Sequence, residues 1–183
     1  MNSIFATIYS IILFIILLIL SLYIIRQIIN TQKGERAIIS LQNDTKKDSV
    51  SYSELYKLGQ LYLQRKLFNK AILIFRQALK LWDINDKIGI GSLSNTIGFT
   101  YFKLKKYKFA IYYYKVALNI LPDYTLAWKN LAYVYELINL KKEAYICYQK
   151  ILLFDPQNSY IDSKIKLLKR SLSFSSSNDE LTL

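Results

Sequence analysis

Histidine is absent from the 183 residues, and cysteine occurs once, at Cys147. Their scarcity removes histidine-dependent nucleophile triads, most zinc and haem sites and any internal disulfide. Carboxylates are also few, 13 Asp and Glu against 25 Lys and Arg. They are scattered over helix starts and surfaces, with no convergent acid pair. Glycine occurs five times and proline twice. Neither G-x-x-x-x-G-K nor G-x-G-x-x-G is present, so no phosphate-cradling loop is expected. Cys147 lies between Ile146 and Tyr148 on a helical stretch and reads as a small buried residue rather than a nucleophile. These absences point away from an enzyme, a metal, a cofactor and a small-molecule substrate.

The charge that is present is basic, with a formal net charge of +12. The excess sits on residues 51–158. Such a field favours acidic proteins, anionic lipid headgroups or nucleic acid, and it says nothing about fold. Ile, Lys, Tyr, Asn and Phe are abundant, a bias that matches AT-rich codons and a low-GC genome such as that of a plastid or an endosymbiont.

Residues 4–25 carry no charge at all. As a helix they would cover roughly 33 Å, enough for a hydrocarbon core of about 30 Å. A secretory signal fits less well: no basic residue precedes the run, the run is long, and no small-residue cleavage site follows. Residues 1–29 are therefore expected to be a membrane anchor and 30–50 a linker, partly helical or with a short amphipathic turn over 36–42. Arg26, Lys33, Arg36, Lys46 and Lys47 follow the span and none precedes it. By the positive-inside rule the C-terminal bulk stays on the cytoplasmic or stromal side.

Residues 51–158 repeat one pattern three times. Leu58, Gly59, Tyr62, Ala71, Phe75 and Ala78 form the first copy; Ile97, Gly98, Tyr101, Ala110, Tyr114 and Ala117 the second; Leu131, Ala132, Tyr135, Ala144, Tyr148 and Ile151 the third. The step from the second copy to the third, Gly98 to Ala132, equals the period of a tetratricopeptide array, in which each repeat is a pair of antiparallel helices. The step from the first copy to the second, Gly59 to Gly98, is longer, so an insertion sits between them. The expected fold is all-α: the N-terminal transmembrane helix, a superhelix of three helix pairs (52–85, 91–124, 125–158) and a C-terminal capping helix. Small residues at Gly59, Gly98 and Ala132, facing Ala71, Ala110 and Ala144, let paired axes approach closely. Pro122 and Pro156 end second helices. The excess between the first two copies falls at 86–90, read as extra length at the start of the second repeat with Asp86 as its cap, or else as a loop insertion. Residues 159–172 place Ile161, Ile165, Leu168 and Leu172 on one stripe, a helix that covers the last repeat. Residues 173–183 are expected to be a disordered tail.

Such an array binds with the face formed by its first helices. By repeat position the groove residues are Tyr56, Gln60 and Leu63, then Asn95, Phe99 and Phe102, then Lys129, Tyr133 and Glu136; some of these rings can instead pack internally. A carboxylate clamp for acidic C-termini needs Lys, Asn and Arg where this chain has Tyr56, Gln60, Thr96, Leu126 and Asn130, so that subclass is not expected. Lys103, Lys105, Lys106 and Lys108 form a basic patch at the turn of the second repeat, solvated or in contact with anionic lipid or an acidic partner. Nucleic acid is not expected, for want of reading motifs and because of the tether.

The uncharged span, basic linker, three repeats and capping helix together resemble the membrane-anchored tetratricopeptide photosystem I assembly protein of plastids and cyanobacteria, a hypothetical chloroplast reading frame family. The resemblance covers the arrangement of nearly the whole chain, while its motifs are the generic repeat pattern. It implies a single-pass thylakoid protein with stromal repeats that binds subunits or assembly factors of a membrane complex, photosystem I. The alternative is an inner-membrane adaptor of the same repeat type in protein export or cytochrome biogenesis.

Overall fold

The computed structural model describes residues 8–9, 11–26, 39–40 and 51–180, with side chains to 172. The chain divides into two compact units, 1–50 and 51–183. In the first unit residues 11–26 form helix α1, and its side chains are exposed on every side. At 1.5 Å per residue α1 measures roughly 24 Å. No helix among the described residues is long and apolar enough to cross a membrane. The span expected over 4–25 is therefore not established by the described structure, and residues 4–7 and 10 lie outside it.

The second unit is helical throughout its regular elements: α2 Tyr52–Gln64, α3 Phe68–Leu81, α4 Lys87–Lys103, α5 Tyr107–Ile120, α6 Thr125–Leu137, α7 Lys141–Phe154 and α8 Ser159–Glu180. Pairs α2/α3, α4/α5 and α6/α7 are the three repeats. Ser51 starts the first. Its side chain accepts from the Ser53 N–H at 3.2 Å, and Glu54 accepts the Ser51 N–H at 3.3 Å, a reciprocal capping box.

Each pair turns through the same device. Lys66, Lys105 and Asn139 adopt positive φ of 57–60° at equivalent repeat positions. After each, the next N–H returns to the tyrosine carbonyl near the helix end: Leu67 to Tyr62 at 2.8 Å, Lys106 to Tyr101 at 3.0 Å and Leu140 to Tyr135 at 2.8 Å. This is the Schellman closure, which satisfies carbonyls that a helix end leaves unpaired.

The pairs pack on small residues. A Cβ on Gly98 would lie 2.7 Å from the Tyr114 ring and 3.2 Å from the Ala110 carbonyl oxygen; Gly59 faces Phe75 as closely. Ala71, Ala110, Ala117, Ala132 and Ala144 are fully buried. Burial at about 25 cal/mol per Å2 of apolar surface holds such a stack together.

The extra residues at 86–90 lengthen a helix. Asp86 caps α4, its carboxylate accepting the Gly89 N–H at 2.8 Å and the Trp82 indole N–H at 2.9 Å. As a result α4 has 17 residues where α2 and α6 have 13. Before Pro122 and Pro156, Leu121 and Asp155 leave the helical region (φ −128° and −137°), as a residue before proline must. The first repeat has no proline there; Asp83 makes the turn by accepting the Asn85 N–H at 3.0 Å.

Helix α8 carries the period one step further. Ile161 and Leu168 stand one repeat period after the buried Ala127 and Val134, and they are themselves buried. Thus α8 stands as the first helix of a fourth repeat, and Asn158 caps it by accepting the Ile161 N–H at 3.1 Å. It also corrects the expected tail from 173: the helix runs on to Glu180. No proline or glycine follows Ser159 to stop it, and once nucleated a helix gains one bond per added residue.

Candidate functional site

The first helices meet side by side through two sets of side-chain contacts, and a third set runs along α4 itself. Between α4 and α6, Asn130 donates to the Asn95 side-chain oxygen at 3.0 Å, and the Phe102 and Tyr133 rings meet edge to face at 5.7 Å. Between α6 and α8, Lys164 pairs with Glu136 at 2.9 Å, and the Lys129 ammonium sits 5.6 Å from the centre of the Tyr160 ring. Along α4, Phe99 stands 6.3 Å from Phe102 and carries Lys103 over its face at 5.0 Å. The outcome is a strip of rings and cations: Lys103, Phe99, Phe102, Tyr133, Lys129 and Tyr160.

The nine expected groove residues take different parts in this strip. Phe99, Phe102, Lys129 and Tyr133 belong to it, with Tyr133 48% exposed. Asn95 is buried at 6% exposure and its amide is spent between helices. Its own N–H also points to the Tyr124 hydroxyl at 3.5 Å. It is a strut beneath the face and not an open contact. Glu136 is held by Lys164, which leaves its carboxylate less available to a ligand. That hydrogen bond raises the Lys164 ammonium above its ordinary pKa, against the opposing effect of burial. Tyr56 accepts a hydrogen bond from Gln60 at 2.9 Å and packs on Phe75 and Trp82 of its own pair, with ring centres 6.0 and 5.7 Å away. Leu63 is half-buried on the same helix.

The basic patch divides. Lys103 belongs to the strip through Phe99, Lys105 supplies the left-handed turn, Lys106 precedes α5, and Lys108 begins the outer side of α5; all four are exposed. Tyr160 and Lys164 were missed from the sequence as members of the face. Their signal was present, since one repeat period separates Asn130 from Lys164 and Leu126 from Tyr160.

A cavity of about 350 Å3 opens where α6, α7 and α8 meet, beside Lys129, Asn158 and Tyr160. Cys147 is buried, and burial pushes its thiol up to about 12, far from a reactive thiolate. No group of three His, Cys, Asp or Glu able to hold a metal occurs among the described residues. The arrangement offers stacking, apolar contact and cationic hydrogen-bond donors, which suit the capture of a polypeptide segment.

Paired helices that repeat one pattern of small and aromatic residues, an aligned face on the first helices and a capping helix define a tetratricopeptide-repeat protein, a scaffold for protein–protein contact. The tetratricopeptide repeat family model matches residues 55–81. The chain is 36% identical over 154 residues to the uncharacterized protein ycf37 of Guillardia theta, covering 84% of this chain and 86% of that protein, and it belongs to the ycf37 family. It is 31% identical over 150 residues to the tetratricopeptide repeat domain-containing protein PYG7, chloroplastic, of Arabidopsis thaliana, covering 80% of this chain and 48% of that one. In fold it is similar to the crystal structure of MamA, with a TM-score of 0.67 at 22% identity over 79% of this chain and 81% of that one.

Proposed function

We propose that this protein is a membrane-tethered scaffold at the thylakoid, whose α4–α6–α8 strip holds a segment of a photosystem I subunit or assembly factor during assembly of that complex. The strip carries the reading. Its rings are partly exposed, and Lys103 and Lys129 make no ion pair among the described residues. An extended or helical segment bearing apolar side chains with an occasional carboxylate fits that chemistry. Support for the setting comes from a relative whose printed name places it in the chloroplast. Support for the tether comes from α1, which is apolar and exposed on every side. A tether raises the effective concentration of the strip near nascent membrane complexes.

Deleting the gene in a photosynthetic host tests the setting. Photosystem I is expected to fall while photosystem II is retained. Unchanged photosystem I under both steady and stress growth would remove the photosystem part and leave the scaffold. Carbonate extraction tests the tether: retention of the full chain in the pellet is expected, and release by carbonate would contradict it.

A further inference from the structure

The second helices, α3, α5 and α7, present a face that the peptide-holding strip does not use. Every exposed side chain on these three helices is a cation, a large apolar group or an amide, apart from Glu143. The arrangement is periodic. Leu73, Tyr112 and Ile146 occupy one repeat position, offset by the same two steps as Gly59, Gly98 and Ala132, and all are more than half exposed. About one turn to either side of each lies a cation: Lys70 and Arg76, Lys108 and Lys115, Lys142 and Lys150. A row of apolar side chains thus runs across the three helices between two rows of cations. None of the six makes an ion pair among the described residues. Neighbouring second helices lie near one another: Arg76 of α3 is close enough to lower the Tyr113 phenol of α5 against the larger effect of burial, and Lys115 of α5 lines one cavity with Glu143 and Ile146 of α7. Between α5 and α7 a cavity of about 300 Å3 opens beside Lys115, with Leu118, Leu131 and Tyr135 in its lining.

We propose that this face docks on an anionic lipid bilayer. Apolar side chains flanked by cations match the boundary between headgroups and acyl chains: the apolar row enters it and the cations meet phosphate. Exposed aromatic groups such as Phe109 and Tyr112 suit the same depth. A protein partner would have to supply a fixed acidic frame around a matched apolar row, whereas anionic lipids diffuse beneath each cation. Nucleic acid would meet phosphate with the cations but find no use for Leu73, Ile146, Leu81 and Leu153, because such interfaces are polar. The preference for a bilayer over an acidic protein rests in part on the tethering proposed above.

The test places the full-length chain with nanodiscs of neutral phosphatidylcholine, or of the same lipid mixed with phosphatidylglycerol, and reads lysine acetylation by mass spectrometry. Lys70, Lys108, Lys115, Lys142 and Lys150 are expected to react about fivefold more slowly with anionic discs than with neutral ones, with the difference lost at high salt. Lys57, Lys66 and Lys129 should not change. Equal rates in both discs, or equal slowing of every lysine, would overturn the proposal, as would protection of these residues by added RNA or acidic protein but not by lipid. The variant L73S/Y112S/I146S keeps every cation and alters only exposed positions; with helicity intact, it should lose most of the protection. Full protection in that variant would also overturn the proposal. Retention on neutral discs reports on the tether separately, so failure of one reading is distinguishable from failure of the other.

Discussion

Lys66 and Lys105 hold positive φ in turns that favour glycine, and asparagine takes the third such position at Asn139. A lysine in the left-handed region is strained by its Cβ against the neighbouring carbonyl, at about 1 kcal/mol or more. Lys66→Gly and Lys105→Gly are therefore expected to stabilise the protein by about 0.5–1 kcal/mol each, read from chemical denaturation. Gly98→Ala should do the opposite. Helix propensity alone favours alanine, but the added Cβ meets the Tyr114 ring at 2.7 Å and the Ala110 carbonyl at 3.2 Å. Overpacking of that kind costs about 1–3 kcal/mol, more than the propensity returns. Gly59, Gly98 and the facing alanines were legible in the sequence because small size at a fixed period reports close approach. The strained lysines were not legible, since a lysine gives no sign of the left-handed region. Cys147 matched its reading as a buried thiol; with its pKa pushed up to about 12, alkylation at neutral pH should be slow in the folded protein and fast after unfolding.

Among elements, α4 gains its extra turn from Asp86. The Gly89 N–H and then the Trp82 indole hold the Asp86 carboxyl below its ordinary range. A depressed carboxyl contributes stability that is present above its unfolded-state pKa and is lost as pH falls through the folded-state value. Asp86→Ala should lower the melting temperature at neutral pH, and the difference from wild type should shrink in acid; a difference that persists unchanged below the carboxylate range would contradict the capping role. Helix α8 shows the complementary sign. Lys164 is raised by Glu136, so their pairing contributes at neutral pH and is lost as pH rises through the ammonium's folded-state value. Lys164→Ala is expected to cost about 1 kcal/mol at neutral pH and nothing in strong alkali. The stripe Ile161, Ile165 and Leu168 made α8 legible. Its length was not, because the polar 173–180 stretch reads by composition as a tail; its register as a fourth first-helix was present in the period, at Tyr160 and Lys164, but was passed over.

At the scale of the whole molecule, three helix pairs and a capping helix were readable because each copy repeats the same size pattern. The makeup of the α4–α6–α8 strip was readable only in part. Counting positions located Phe99, Phe102, Lys129 and Tyr133. It could not show that Asn95 is consumed by Asn130, that Tyr56 turns to Phe75 and Trp82, or that Lys164 takes up Glu136 and Tyr160 takes up Lys129. These outcomes depend on packing between helices, which a list of positions does not contain. The central claim is that the α4–α6–α8 strip captures a protein segment. The direct measurement is affinity capture from solubilised membranes, followed by mass spectrometry, comparing the wild-type chain with Lys129→Ala/Tyr133→Ala. Both side chains are exposed, so helicity should be unchanged. If the strip is the binding face, recovery of the specific partner falls by about tenfold or more, the scale of an aromatic hot spot. Equal recovery by the two proteins, with helicity unchanged, would place binding elsewhere on the molecule.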